Sequence, residues 1–366
     1  MQATLANWRS PPFNRWAFHH VRELIPSADI PAEPAAVRRL APHPAGMPPG
    51  FEEFLRDTDT DGIAVVHRGR LVFERYANGM TGATPHILMS VSKSMLGLLA
   101  DELEQRGELD SERPVADVVP ELAGTAYREA TIRHLLDMRA AIAWNEDYLA
   151  NSGPIVEYRK ASGWNPVLPG DPPADLHSFF QTLTDAEAHG GRFHYVSPNS
   201  DLLGWVIERA TGQRYAGLMS ELVWKPAGAE RDAYITVDRL GAPRCAGGMC
   251  VTVRDLARVG LWMIDTGRMH GLETAGSPEA WAAGDLAQYF PGLPMRYRSQ
   301  WYALDANRDE KAAPLVFGFG IHGQNLFVDR ANEIVVAKVS SQALPLDAAR
   351  IGPTLRAVAE LRKFLA

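Results

Sequence analysis

One segment of the chain places a serine and a lysine three residues apart, Ser90-Val91-Ser92-Lys93, and no other S-x-x-K occurs. On a helix that spacing puts both side chains on one face, a turn apart. A serine at a helix start meets unpaired backbone N–H groups and the positive end of the dipole, and both favour a developing oxyanion. A buried lysine gives up its proton because desolvation disfavours the ammonium. The neutral amine can then deprotonate a hydroxyl that is otherwise a weak nucleophile. A serine near a helix start is also the ordinary N-cap residue, so these four positions alone do not decide between the two roles. Acyl transfer further requires a group that passes protons between serine and leaving group. A tyrosine hydroxyl can do that, and three tyrosines share the pattern Tyr-x-Asn or Tyr-x-Ser. They stand in Tyr76-Ala77-Asn78, Tyr195-Val196-Ser197 and Tyr297-Arg298-Ser299.

The elements that must position these groups are legible as changes of period. Ile63–Val66 and Leu71–Phe73 are short apolar runs joined by His67-Arg68-Gly69-Arg70, which predicts adjacent antiparallel strands. From Ser90 to about Gln105, Met95, Leu98, Leu99 and Leu103 recur at helical spacing, with Gly107 as the stop. Helical patterns alternate with polar loops through the middle, as in Thr131–Met138 and Leu202–Thr211. Strand character returns at Leu315–Phe317, Leu326–Val328 and Ile334–Val339. Arg350–Leu365 closes the chain as an amphipathic helix with Pro353 in its first turn. Residues 1–50, rich in Pro, Trp and Arg, read as a segment wrapping a folded body. The expected class is α/β of the α+β type. Residues 1–100 and 241–366 form one discontinuous domain, and 101–240 a mostly helical insertion.

Composition narrows the function. The 366 residues are 46% hydrophobic and 22% charged, with a formal net charge of −7, so a large core is available and no basic footprint for nucleic acid exists. No apolar run reaches the length of a membrane span, and the first twenty residues lack the features of a secretory signal. A cytoplasmic protein acting on a small molecule, with a homodimer left open, is the expectation. Cys245 and Cys250 read as buried free thiols. His189 and His194 lack a third ligand nearby, and neither a metal nor a cofactor is expected. Gly318-x-Gly320-x-x-Gly323 matches the dinucleotide fingerprint in letters only, because it leads into a second strand and not into a helix.

Ser90-Val91-Ser92-Lys93, followed about a hundred residues later by Phe193-His194-Tyr195-Val196-Ser197-Pro198-Asn199, resembles the β-lactamase-related serine hydrolases. Within them the chain is similar to the 6-aminohexanoate-dimer hydrolases, the nylon-oligomer amidases, and their carboxylesterase relatives. The likeness takes in Trp8-Arg9-Ser10-Pro11-Pro12, Ile132–Leu136, Gly247-Gly248 with Arg254–Arg258, and Gly320–Leu326. It implies a β-lactamase/penicillin-binding-protein-like fold, an antiparallel sheet flanked by helices plus a mostly helical domain. It also implies Ser90 as nucleophile, Lys93 as base and, of the three tyrosines, Tyr195 as the proton shuttle. By the same resemblance the N–H groups of Ser90 and Ile321 form the oxyanion hole and Tyr148 contacts the substrate amide. His322, beside Ile321, could line the pocket, or bond to the backbone instead.

The family's Lys-Thr-Gly strand motif is absent, and so is Ser-Asp-Asn, which argues against efficient β-lactam processing. Amide or ester hydrolysis through an acyl-enzyme is the leading expectation. A carboxylesterase with little amidase activity, or a penicillin-recognising binding protein, are the alternatives. Residues 145–170 and 280–310 are expected to shape the substrate preference.

Overall fold

The hairpin read from Ile63–Val66 and Leu71–Phe73 is the seed of a large sheet. In the computed structural model the described residues are 2–172, 174–268, 295–304 and 314–366, with Leu286, Phe290 and Leu293. Much of the 280–310 stretch therefore lies outside them. The large sheet runs, in spatial order, β2 (Ala41–Pro42), β4 (Arg70–Tyr76), β3 (Thr60–His67), β12 (Ile334–Ser340), β11 (Gln324–Asp329), β10 (Leu315–Gly320), β9 (Trp301–Leu304) and β8 (Met295–Arg298). All pairs are antiparallel except the short β2–β4 contact. Arg68 and Gly69 turn the first hairpin, both at positive φ (49° and 74°), as a tight turn matched to strand twist requires. A smaller sheet joins β1 (Ser27–Ile30), β6 (Ala233–Thr236), β7 (Met249–Val251) and β5 (His86–Ile87).

Strands from both ends of the chain thus meet at β3–β12, with Val336 opposite Val65 and Ala337 opposite Ala64. Alternation divides their side chains between two cores. Ala64, Val66, Val335, Ala337 and Val339 face a core shared with Leu256 and Val259 of helix Val253–Thr266. Ile63, Val65, Ile334 and Val336 face a second one with Leu55, Val358 and Leu361. A sheet buried on both faces explains why these strands read as near-continuous apolar runs.

Helix Val91–Gln105 lies between sheet and helical region and is buried on nearly every side, from Val91 to Ala100 without interruption. An added Cβ on Gly97 would lie 2.1 Å from the Ser299 carbonyl, so glycine lets the helix touch the β8–β9 turn. The closing helix spans Ala348–Leu365, capped by the Asp347 side chain on Ala349 N–H. It starts two residues before the expected Arg350, which moves Pro353 from the first turn to the second. The dinucleotide-like glycines occupy the end of β10 and the turn Ile321–Gly323 into β11, where His322 and Gly323 take φ of 61° and 90°. Cys245 and Cys250 are buried free thiols. No helix among the described residues is long and apolar enough to cross a membrane.

Candidate active site

Ser90 occupies the N-cap position of helix Val91–Gln105 with φ −68° and ψ −6°, and its side chain caps no backbone N–H. The ordinary capping role is therefore not the one it plays. Met89 before it is held at φ 45°, an unusual conformation for a residue with a Cβ. Its side chain is packed among Trp8, Phe18, Ile87 and Trp164. The N-terminal segment thus wraps round to brace the backbone that presents the serine: Trp8 Nε1 donates to Trp164 O at 3.0 Å, and Asn14 Nδ2 to the Ser341 and Gln342 carbonyls.

Lys93 is 1% exposed. Its Nζ lies 3.0 Å from Ser90 Oγ, 3.1 Å from Ser197 Oγ and 2.8 Å from the Ala246 carbonyl. Burial pushes its pKa down to about 7; Glu146 pulls the other way, Arg244 adds to the depression and Asp201 opposes it. The partners also orient the amine. The Ala246 carbonyl can only accept, and the Ser197 hydroxyl donates its proton to Glu146 Oε1 at 2.5 Å. A neutral Lys93 spends both N–H groups on those two oxygens and turns its lone pair to the Ser90 hydroxyl.

Each support has its own anchor. Ser197 opens helix Ser197–Thr211, and its N–H donates to Glu146 Oε2 at 2.9 Å, so a carboxylate sits on the positive end of that helix. Trp144 Nε1 donates to the same oxygen. Asp201, one turn further, accepts from Ala246 N at 2.7 Å and forms a buried ion pair with Arg244. Tyr158 also donates to Asp201 at 2.5 Å. That network fixes the carbonyl on which Lys93 rests. At Gly248, an added Cβ would meet Thr236 Oγ1 at 2.2 Å, which shows how closely this strand start packs.

Tyr195 stands two residues before helix Ser197–Thr211, its ring centroid 4.9 Å from Lys93 Nζ. The other tyrosines are elsewhere. Tyr76 donates to Glu74 on β4, and Tyr297 is buried against Phe193 and Tyr302. Strand β10 runs flush against the helix start: an added Cβ on Gly320 would lie 3.0 Å from Ser90 N, and one on Gly318 would lie 2.8 Å from Ser94 Oγ. Among the described residues neither the Ser90 nor the Ile321 N–H donates a hydrogen bond. Ser90, Tyr148, Tyr195 and Ile321 line one cavity of about 240 Å³ whose far wall includes Tyr302 and Phe319.

Five of the six residues expected at the site are thereby brought together. His322 is not among them. It is buried, its Nδ1 bonded to the Gln342 carbonyl at 2.7 Å, and it lines neither this cavity nor the recess beside it. Reading the sequence did not single out Glu146, Asp201, Arg244 or Ala246, and took Ser197 only as part of a motif. Glu146 stands two residues from Tyr148 and Asp201 follows the Tyr195 motif, but no local pattern marks either one. Both ring nitrogens of His189 bond backbone groups, and His194 Nε2 bonds the Trp144 carbonyl.

A serine on a buried helix start, an amine of lowered pKa and a strand end packed on the serine amide define the class. The sequence matches the beta-lactamase family over residues 51–361, and the chain belongs to that family, as a serine hydrolase. It is 37% identical over 355 residues to the 6-aminohexanoate-dimer hydrolase of Paenarthrobacter ureafaciens, covering 93% of this chain and 88% of the relative. Esterase EstB of Burkholderia gladioli is 28% identical over 203 residues, 51% of this chain and 50% of the esterase. A solved structure described as a 6-aminohexanoate-dimer hydrolase from Bacillus anthracis superposes with a TM-score of 0.89 at 23% identity, over 100% of this chain and 98% of that one. The D-alanine carboxypeptidase AmpC of Burkholderia cenocepacia follows the same fold at 0.57 and 18%, over 86% and 96%.

Proposed function

We propose that the chain hydrolyses a small amide or ester through an acyl-enzyme on Ser90. The observation that carries this is the set of contacts around Lys93, whose Nζ reaches Ser90 Oγ, Ser197 Oγ and the Ala246 carbonyl; with Ser197 donating to Glu146, a neutral amine keeps its lone pair for the Ser90 proton. Ser90 Oγ attacks the carbonyl, and the tetrahedral oxyanion is held by the Ser90 and Ile321 N–H groups. Each such donor is worth about 3 kcal/mol in a transition state. Tyr195 passes the proton to the leaving alcohol or amine. Water then attacks the acyl-enzyme, and the acid leaves as Ser90 recovers its proton. Tyr148, on the cavity wall, contacts the scissile group. The likeness to the 6-aminohexanoate-dimer hydrolase favours an amide; the likeness to EstB keeps an ester preference as the second reading. Rates on an aliphatic amide dimer beside a p-nitrophenyl ester series separate these two.

The direct test is covalent. A fluorophosphonate should add once per chain and the modified peptide should contain Ser90; a label on any other serine, or none, removes the proposal.

Glu146 offers a second check. Its charge raises the Lys93 pKa, so Glu146→Gln should move the acid limb of kcat/KM to lower pH than in the unsubstituted enzyme. The plateau should also fall by roughly ten-fold, a loss of about 1.4 kcal/mol. A glutamine amide donates to Ser197 and frees that hydroxyl to compete with Ser90 for the lysine lone pair. A limb displaced upward would show that Glu146 does not act through Lys93.

A further inference from the structure

Beside Ser90 a small recess continues from the cavity. Ser90, Tyr148 and Ile321 border both spaces, whereas Tyr195 borders only the larger one. The recess is lined by three arginines, Arg9, Arg159 and Arg244, against a single carboxylate, Glu146. These come from three distant parts of the chain.

The negative charges nearby are already engaged. Glu146 accepts from Ser197 and Trp144, and Asp201 is paired with Arg244 and Tyr158. The arginines are held in place with donors to spare. Arg159 grips the carbonyls of Asp147, Tyr148 and Ala150. Arg9 and Arg244 flank the Trp164 ring at 6.0 and 4.7 Å from its centroid. Arg9 donates through Nη2 to Asn165 Oδ1 at 2.6 Å. The Nε atoms of Arg9 and of Arg244, itself only 6% exposed, are buried without a partner among the described residues. Buried guanidinium charge short of negative partners is costly, and an anion bound among the three arginines offsets it. The guanidiniums also repel one another. Burial, then Arg159, then Arg244 lower the Arg9 pKa to about 9.

We propose that this recess is a carboxylate subsite for the acyl half of the substrate, which makes the preferred substrates esters or amides of dicarboxylic acids. The assignment to the acyl half rests on the reading of Tyr195 given above: the leaving group takes its proton there and so occupies the larger cavity. The recess measures about 30 Å³. By the same measure one water needs roughly 10–15 Å³, so the space suits the two oxygens of a carboxylate and little more. An ω-ammonium acyl chain, as in 6-aminohexanoyl, would meet like charge in the same place.

Three methyl esters with six-carbon acyl chains test this at pH 7.5: monomethyl adipate, methyl hexanoate and methyl 6-aminohexanoate. The expected kcat/KM for monomethyl adipate is at least ten-fold above methyl hexanoate, with methyl 6-aminohexanoate the lowest of the three. In Arg9→Gln the adipate-to-hexanoate ratio should fall several-fold. Added acetate should lower the same ratio in the unsubstituted enzyme by competing for the guanidiniums, which needs no variant to fold. Methyl hexanoate turned over as well as or better than monomethyl adipate overturns the subsite and leaves the hydrolase standing. No turnover of any ester, together with no fluorophosphonate adduct on Ser90, overturns the hydrolase reading itself.

Discussion

Ser90→Ala is expected to lower kcat/KM for a short-chain ester by about 10⁴–10⁶, the scale seen when the nucleophile of a hydrolytic machine is removed. The fold should survive it. The hydroxyl caps no backbone N–H, and among the described residues it bonds only Lys93 Nζ. Alanine removes a single oxygen at the cavity wall and with it one hydrogen bond, a loss of about 1 kcal/mol. Substrate binding should persist, because the arginine recess, Tyr148 and the Ile321 amide are untouched. The measurement is therefore paired. Steady-state hydrolysis should collapse while Tm and the Kd of a slowly hydrolysed amide stay near those of the parent enzyme. Retained turnover would mean that another group attacks the carbonyl.

Lys93→Met is expected to cost about 10³–10⁴, near the upper end of what general acid–base catalysis contributes. Methionine preserves the length and apolar stem of a side chain that is 1% exposed, so packing is largely kept. The pH profile tells loss of the base from general damage. With its pKa lowered to about 7, Lys93 is charged below that pH and neutral above it, so kcat/KM of the parent enzyme should rise through pH 7 to a plateau. In Lys93→Met that limb should vanish, leaving a small residual rate without an inflection near 7. Residues that act as one unit do not add. The Ser90→Ala/Lys93→Met double variant should accordingly be no slower than Ser90→Ala alone, and a further loss beyond three-fold would argue that the two groups work separately.

What the chain's order alone determined is local. A spacing of three from Ser90 to Lys93 dictates a shared helix face, and the period of Met95, Leu98, Leu99 and Leu103 supplies the helix. The β3–β4 hairpin was legible because apolar runs flank a turn whose residues accept positive φ. The buried β10–β12 strands were legible as apolar runs, and the family motifs ordered Ser90 before Tyr195. The start of the closing helix was missed by two residues, because Asp347 supplies the cap ahead of the periodic stretch.

The rest was decided by tertiary packing. Ser197 and Ala246 are 104 and 153 residues from the lysine they orient. No periodicity links them, since loop closure and core packing alone bring them to one amine. Burial is equally a property of the fold: the same Lys93 on an exposed helix face would stay charged and could not serve as a base. Tertiary contacts also turned His322 to a backbone carbonyl, set Gly320 against the serine amide and gathered three arginines beside Ser90. The sequence thus determined which side chains could perform acyl transfer, and the packing decided how deeply each is buried and which partners it meets.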